Sequence, residues 1–283
     1  MKGIIKRSLS LLIVFLLIII IIYGYNFYNN QDRVKMKNNN SNREEKYQAK
    51  SSKDEIIAKY RGQNSKEWGE DVSGVITKIN TDKKVIALTL DACGGNDGYD
   101  SKLIDFLLTE EIPATLFINS RWIDEHKETF KKLADNPLFT IANHGSRHIP
   151  LSVTGKSIYG IKGTESVEEV VDEVITNQEK IEKLTGERPD YFRSGTAYYD
   201  EIAVKIVNDL GMQVIGYDIL GDAGATFSTE EVEEALLGAK RGSIILAHMN
   251  RPQSETAEGI KAAVPKLKRK GFKFVKLEDY NQQ

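Results

Sequence analysis

From about Val72 to the C-terminus, short apolar runs alternate with amphipathic stretches, and this alternation constrains the fold more than any other feature. Runs rich in β-branched residues predict strands over 84–91, 114–118, 140–143, 191–193, 213–218, 243–248 and 272–277. Apolar positions at helical spacing predict helices over 101–110, 121–135, 166–185, 199–210, 228–239 and 255–270. Strands and helices that alternate in this way form βα units around a parallel sheet. We therefore expect an α/β fold, and both an open doubly wound sheet and a barrel fit the order of elements.

An uncharged stretch, residues 8–31, precedes this domain and contains an unbroken apolar run over 11–23. A stretch of this length can cross a hydrocarbon core about 30 Å thick. Lys2, Lys6 and Arg7 favour an N-terminus in the cytoplasm, so residues 1–28 are predicted to be a single-pass signal anchor in the cell membrane, with the rest of the chain outside. A cleaved signal peptide and a buried core helix are the alternatives. The length of the run and the missing small-x-small cleavage pattern favour the anchor.

Residues 29–71 are predicted to be a polar linker, and residues 72–283 a single domain. The apolar residues between positions 29 and 55 are Val34, Met36, Tyr47 and Ala49. So few apolar side chains cannot bury enough surface to offset the entropy lost on ordering, so we expect this part of the chain to be a disordered tether.

Charge and cysteine content exclude several classes of protein. Lys plus Arg number 39 and Asp plus Glu 41, so the net charge of -2 leaves no basic surface for nucleic acid. Cys93 is the only cysteine, which excludes an internal disulfide and zinc modules built on two or four cysteines. A metal would therefore be held mainly by His, Asp or Glu. The sequence does not define an oligomeric state.

Polar residues stand at the ends of five predicted strands, namely Asp91, Asn143 with His144, Arg193, Asp218 and His248. In α/β folds the carboxyl ends of parallel strands form the functional site, so we expect these side chains on one rim. His144 and His148 are four residues apart, a spacing that suits Zn²⁺, although surface or core histidines give the same pattern. No Glu lies between them, so a metalloprotease of the H-E-x-x-H type would lack its general base.

Taken in order, these segments resemble the motifs of the polysaccharide deacetylases of the NodB homology domain, metal-dependent carbohydrate esterases that remove acetyl groups from N-acetylated sugars. TLDACGG (89–95) resembles the first motif, T-F-D-D-G, as a variant with DACGG. NHGSRH (143–148) resembles the second, H-[ST]-x-x-H, and RSGTAYYD (193–200) the third, R-x-P-Y. ILAH (245–248) resembles the fifth, L-x-L-x-H. The resemblance spans residues 72–283 and implies a distorted (β/α) barrel of seven or eight parallel strands.

The resemblance also implies roles for individual residues. His144 and His148 would bind a divalent metal, with zinc as our first choice. Asp91 would take a proton from metal-bound water, with Arg193 orienting it, and His248 would protonate the leaving amine.

Two further roles follow from the same comparison. Asp222 matches the fourth-motif Asp that orients the terminal histidine, with Asp218 as its rival. The backbone N–H near Thr196 would help to stabilise the tetrahedral oxyanion.

This chain departs from the family pattern at several positions. The metal-binding second Asp of the first motif is replaced by Ala92, and the Pro and Tyr of the third motif by Gly195 and Thr196. The Trp of the fourth motif is missing, with Ala223 standing nearby.

Because Ala92 replaces the metal-binding Asp, the identity of the third protein ligand of the metal is left open. The candidates are Asp91 first, then Asp97, then Cys93, with water as a further alternative. An inert buried thiol is the simpler interpretation of Cys93.

The sequence thus predicts a membrane-anchored, metal-dependent hydrolase that deacetylates an N-acetylated polysaccharide such as peptidoglycan or an exopolysaccharide. Trp68 and Trp122 are candidates to stack on sugar rings, with core packing favoured for Trp122. The alternatives are a catalytically silent glycan-binding module that lost its metal with Ala92, and an amidohydrolase that acts on a non-sugar amide.

Overall fold

The computed structural model describes residues 53–94 and 98–280. The predicted signal anchor (1–28), most of the predicted linker and Asp97 lie outside these residues. Within the described ranges, no helix is both long and apolar enough to cross a membrane. The described residues all belong to one structural unit.

Eight parallel strands form the main sheet. They are β1 (Val85–Ala92), β2 (Ala114–Ile118), β3 (Phe139–Asn143), β6 (Tyr191–Phe192), β7 (Gln213–Val214), β8 (Ile219–Leu220), β9 (Ser243–His248) and β10 (Lys273–Val275). Their order is β7-β6-β3-β2-β1-β9-β8, and β10 pairs with the first half of β1. β4 (Ser157–Ile158) and β5 (Ile161–Lys162) form a separate hairpin. This curled parallel half-barrel is consistent with the expected (β/α) barrel, although β7 and β8 do not pair within the described residues.

Helices cover the outside of the sheet. They are α1 (Lys53–Tyr60), α2 (Ser101–Thr109), α3 (Ser120–Glu125), α4 (Lys127–Ala134), α5 (Val167–Thr185), α6 (Glu201–Asp209), α7 (Thr229–Leu237) and α8 (Thr256–Arg269), followed by a 3₁₀ turn at Leu277–Asp279. The single helix expected over 121–135 is divided at His126, whose backbone (φ -121°, ψ 36°) leaves the helical region and begins α4.

The start of the domain differs from the expected linker. α1 buries Ile56, Ile57 and Tyr60 in a cluster with side chains of α5 and α6. The carboxylate of Glu201 then accepts hydrogen bonds from the backbone N–H groups of residues 66 and 67. Residues 53–71 therefore pack against the domain, because one short apolar helical face and a few backbone contacts suffice to hold an otherwise polar segment.

β1 is the centre of the core, and all of its residues are buried. A parallel strand covered on both faces is expected to be apolar throughout, and the buried polar residues of β1 are therefore informative. The register pairs Asp91 with His248 of β9 and with Phe117 of β2, and Asn143 of β3 with Phe192 of β6. This register aligns the carboxyl ends of the strands and brings the motif residues together.

Asp218 is an exception to the predicted rim. The strand expected over 213–218 ends at Val214. The Asp218 carboxylate accepts hydrogen bonds from Ser243 Oγ and the Ile244 backbone N–H, both at 2.8 Å. It therefore lies at the amino end of β9, the end opposite to His248.

Candidate metal and catalytic site

A cavity of about 770 Å³ opens at the carboxyl ends of the strands. The side chains that line it include Asp91, Cys93, His148, Thr196 and His248. His144 is 1% exposed and lies beside the lining residues Asp91 and Cys93. The structure thus brings the first, second, third and fifth motifs to one cavity, as the strand-end argument predicts.

Asp91 and Arg193 form a buried ion pair. Arg193 Nη1 donates to Asp91 Oδ1 at 2.7 Å and to Thr89 Oγ1 at 2.9 Å, and the guanidinium lies over the Phe117 ring. Its Nε and Nη2 donate to the backbone carbonyls of Ile215 and Gly216. Burial alone would raise the pKa of Asp91, but the positive charge of Arg193 outweighs it and the pKa lies below its usual range. Asp91 is therefore an anion held in one orientation.

His144 is oriented by a backbone carbonyl. Its Nδ1 lies 2.9 Å from the Arg193 carbonyl oxygen, which can only accept, so Nδ1 carries a proton and the neutral ring presents Nε2 as a lone pair. Nε2 lies 3.6 Å from Asp91 Oδ2 and 3.9 Å from Cys93 Sγ. Burial lowers the pKa of His144, but the Asp91 charge and the Cys93 thiol outweigh this effect and raise it.

His148 lies beside His144, with the two rings edge to face and their centroids 5.0 Å apart. Its backbone is left-handed (φ 62°), a conformation that a non-glycine residue adopts at a cost in energy. Its Nε2 is buried and has no hydrogen-bond partner among the described residues. This nitrogen is therefore available as a ligand for a metal ion.

Gly195 explains one departure from the family pattern. A Cβ atom at this position would lie 2.4 Å from the His148 backbone carbonyl carbon. Only glycine allows the third-motif loop and the second-motif loop to approach so closely. The Gly in place of the family's Pro is therefore matched to the position of His148.

Cys93 completes a cluster of donor atoms with His144 and His148, all within 4.8 Å of one another. Burial would raise the pKa of the Cys93 thiol, but hydrogen bonds with the histidines of the site hold it well below its usual range. The predicted ligand Asp91 lies next to this cluster but outside it, with its Oδ1 engaged by Arg193 and its Oδ2 3.6 Å from His144 Nε2. Ala92 is fully buried in the apolar core.

His248 and Asp222 form a second pair. His248 Nδ1 lies 2.8 Å from Asp222 Oδ1, and the His248 backbone N–H donates to Asp222 Oδ2 at 2.8 Å. Burial lowers the pKa of His248, but the hydrogen bond to Asp222 outweighs it and raises the pKa well above its usual range. Between the two candidates for this role, Asp222 is the one that contacts the histidine.

Sequence reasoning missed the residues that hold these groups in place. The buried Glu173 carboxylate accepts hydrogen bonds from the backbone N–H groups of Ser146 and Arg147, inside the second motif. Asn119 Nδ2 donates to the carbonyls of His144 and Gly145. Thr256 Oγ1 donates to Asp222 Oδ2. Glu173 left a readable signal, because it occupies a position on the apolar face of α5 where a charge is unexpected.

Aromatic side chains stand near the mouth of the cavity. Trp68 and Tyr198 have ring centroids 5.8 Å apart, and Tyr159, 70% exposed, lies edge to face with Tyr198 at 5.7 Å. Trp122, in contrast, is fully buried and donates to the Gly98 carbonyl. Trp68, which is only partly buried, is connected through Tyr198 to Tyr159, a residue that lines the cavity, whereas Trp122 is part of the core.

Comparisons with known proteins agree with the motifs. The polysaccharide deacetylase family matches residues 78–215. The peptidoglycan-N-acetylmuramic acid deacetylase PdaA of Bacillus subtilis (strain 168) is 24% identical over 208 residues, which cover 71% of this chain and 72% of PdaA. The peptidoglycan-N-acetylglucosamine deacetylase of Bacillus cereus (strain ATCC 14579) is 24% identical over 212 residues, which cover 73% of this chain and 93% of that protein.

A solved structure shares the fold. The crystal structure of a pseudoenzyme of carbohydrate esterase family 4 from Bacillus anthracis matches with a TM-score of 0.63 at 24% identity, over 75% of this chain and 70% of the pseudoenzyme. The family match and the curated relatives confirm the resemblance seen in the motifs. Residues 78–215 thus belong to the polysaccharide deacetylase family of hydrolases, which act on carbon–nitrogen bonds.

Proposed function

We propose that this protein is a metal-dependent N-deacetylase of a cell-wall glycan. One observation carries the proposal: the anionic Asp91 and the Asp222-bound His248 lie at the same cavity as the donor cluster of Cys93, His144 and His148. A deacetylase of this kind needs a base, an acid and a Lewis acid around one amide.

The donor set fits a divalent metal. The bond from His144 Nδ1 to a backbone carbonyl leaves its Nε2 as the nitrogen that belongs to the donor cluster, and His148 Nε2 is buried without a partner in the described part of the chain. Nitrogen and sulfur donors suit zinc better than magnesium or calcium, which prefer oxygen. When bound, zinc would supply Lewis acidity toward water and the amide carbonyl.

The chain's own residues would move the protons. Asp91, kept anionic by Arg193, receives a proton from the attacking water. His248, kept protonated by Asp222, donates a proton to the amide nitrogen as the carbon–nitrogen bond breaks. Acetate and the free amino sugar are the products, and one water is consumed. The low pKa of Asp91 makes it a weak base, so orienting the water is a large part of its role.

The names of the relatives favour peptidoglycan as the substrate. Two of them are named peptidoglycan deacetylases, one for N-acetylmuramic acid and one for N-acetylglucosamine. The open cavity and the aromatic side chains beside it, Trp68 and Tyr159, suit a carbohydrate chain.

We also propose that residues 1–28 anchor the protein in the cell membrane with the domain outside, where the cell wall lies. Protease added to intact protoplasts should then remove the domain. Survival of the domain, under conditions that digest an external control protein, would reverse this topology.

A silent glycan-binding module is the second candidate, favoured by one observation. Ala92 cannot ligate, and a fold relative is described as a pseudoenzyme. A non-sugar amide substrate remains a third outcome of the same assay.

Acetate release tests these proposals together. Full-length protein in detergent, loaded with zinc, is incubated with peptidoglycan, chitooligosaccharides and small N-acetyl amides. We expect acetate from the glycans, its loss in Asp91→Asn, and its retention in the control His126→Gln, which replaces a histidine that stacks on Trp122 outside the cavity. Zinc-loaded protein that binds peptidoglycan and releases no acetate would support the silent module instead.

A further inference from the structure

We infer that the Cys93 sulfur is the third protein ligand of the metal, so that the site is Cys-His₂ and not the Asp-His₂ set of the family's first motif. This inference rests on the metal dependence proposed above. It assigns to Cys93 the role that Ala92 cannot fill.

The alternation of side chains in β1 supports this assignment. Successive residues of a strand point to opposite faces. Ala92 faces the apolar core, where it packs in the same cluster as Leu90 and Ile118. Asp91 and Cys93 both line the cavity. A donor lost at position 92 is therefore replaced by one at position 93.

The distances suit a tetrahedral ion. Bond lengths of about 2.3 Å to sulfur and about 2.0 Å to nitrogen place neighbouring donor atoms of a zinc site about 3.3 to 3.6 Å apart. Cys93 Sγ lies 3.9 Å from His144 Nε2, and every donor pair in the cluster lies within 4.8 Å. Side-chain adjustments of about 1 Å or less would close the cluster around zinc.

The backbone holds Cys93 beside His144. The Asn119 backbone N–H donates to the Ala92 carbonyl at 3.0 Å, and Asn119 Nδ2 donates to the His144 carbonyl at 3.0 Å. A Cβ at Gly94 would lie 2.4 Å from Asn119 Oδ1, so glycine is required after the cysteine. One residue, Asn119, thus joins the loop that carries the thiol, through its backbone, to the loop that carries the histidine, through its side chain.

Among the described residues, the two carboxylates nearest in sequence lie outside the donor cluster. Asp91 is held by Arg193 through Oδ1 at 2.7 Å, with Oδ2 3.6 Å from His144 Nε2, and Asp100 caps the start of α2 through the Leu103 backbone N–H. His148 Nε2, buried and without a described partner, is left facing a cluster whose only anionic donor is the thiolate. A soft sulfur ligand predicts that the site prefers zinc or cobalt over manganese and magnesium.

Cobalt substitution tests the assignment directly. Full-length apoprotein is titrated with Co²⁺ and its absorption spectrum recorded. A thiolate ligand produces an intense sulfur-to-cobalt charge-transfer band in the near ultraviolet, and Cys93 is the only cysteine that can give one. We expect this band at one equivalent of cobalt, its loss in Cys93→Ser, and its retention in the control His126→Gln.

Zinc affinity gives the second readout. In competition with a chelator, Cys93→Ser should bind zinc on the order of 100-fold more weakly, since even residues that only support a metal ligand cost about 10-fold to 100-fold. Ala92→Asp should not tighten binding. Circular dichroism checks that each variant is folded, and Cys93→Asp provides a variant that keeps an anionic donor at the same position.

The outcomes separate this inference from the proposed function. Stoichiometric cobalt binding without a charge-transfer band, or tighter zinc binding in Ala92→Asp with no loss in Cys93→Ser, would overturn the Cys93 assignment, and acetate release could still stand. A band that depends on Cys93, in a protein that releases no acetate, would support the ligand and overturn the deacetylase. Loss of zinc in Asp97→Ala with Cys93→Ser unaffected would assign the third ligand to Asp97.

Discussion

Two buried carboxylate pairs at the same cavity have opposite consequences for protonation. In the Asp91–Arg193 pair the carboxylate faces the cavity and its partner is a permanent cation, so the pKa of Asp91 is lowered. In the His248–Asp222 pair the imidazole faces the cavity and its partner is an anion, so the pKa of His248 is raised. The residue behind each cavity-facing group thus shifts its pKa in the opposite direction, which favours an anionic carboxylate and a cationic imidazole in one site.

Replacement of Asp91, the proposed base, should lower activity the most. Asp91→Asn keeps the shape of the side chain but cannot accept a proton, so kcat should fall by about 10³-fold to 10⁴-fold. The Cys93, His144 and His148 cluster remains, so zinc content should stay near that of the unmodified protein. Acetate release and metal analysis on the same sample measure both effects. Loss of zinc together with activity would identify Asp91 as a metal ligand.

Removal of the cation behind Asp91 should mainly affect stability. Arg193→Met leaves a buried carboxylate without its partner, which costs about 3 to 5 kcal/mol in the free energy of unfolding. Thermal and denaturant unfolding measure the loss. Because Asp91 becomes easier to protonate, the destabilisation should be smaller at pH 5 than at pH 8. An equal loss at both values would show that Arg193 acts through packing alone.

Replacement of His248, the proposed acid, should lower kcat less than replacement of Asp91. His248→Gln should lower kcat by about 10²-fold to 10³-fold, because water can protonate the leaving amine slowly. His248 lies outside the cluster of metal donors, so zinc affinity should be unchanged. Weaker zinc binding in this variant would make His248 a ligand.

Replacement of Asp222, the partner of His248, should have the smallest effect on kcat/KM. Asp222→Asn removes the charge that raises the pKa of His248, so His248 should lose its proton at lower pH. The alkaline limb of kcat/KM should shift to lower pH, with a decrease of about 10-fold at neutral pH. Asp218→Asn is the matched control, because its carboxylate contacts Ser243 and Ile244 instead. An equal shift in both variants would refute the assignment of Asp222.

The sequence predicted the regular part of the fold well, because long β-branched runs and amphipathic helices leave few alternatives. The runs at 114–118 and 243–248 match β2 and β9 at both ends. The short helix α1 was missed because its three buried residues stand among polar ones. The strand predicted over 213–218 is longer than the observed strand, which ends at Val214. Such features depend on tertiary contacts that no local pattern records.

Prediction of the site was limited in a similar way. Motif residues at strand ends could be found from their positions in the sequence, and the structure brings Asp91, His144, His148, Arg193, Asp222 and His248 together. The ranking of Cys93 behind Asp91 and Asp97 came from residue type alone. Only the geometry distinguishes the carboxylate held by Arg193 from the thiol beside two histidines.

The pH dependence of kcat/KM for acetate release by the zinc-loaded protein tests the central claim most directly. At low pH, protonation of His144, whose pKa is raised, competes with zinc, and at lower pH Asp91 also gains a proton. At high pH, His248 loses its proton. Because its pKa is raised, this loss occurs at a higher pH than for an ordinary histidine. We predict a bell-shaped profile whose alkaline limb is lost in His248→Gln and whose amplitude collapses in Asp91→Asn. A profile of unmodified protein with no alkaline limb, or an alkaline limb that persists in His248→Gln, would contradict the account.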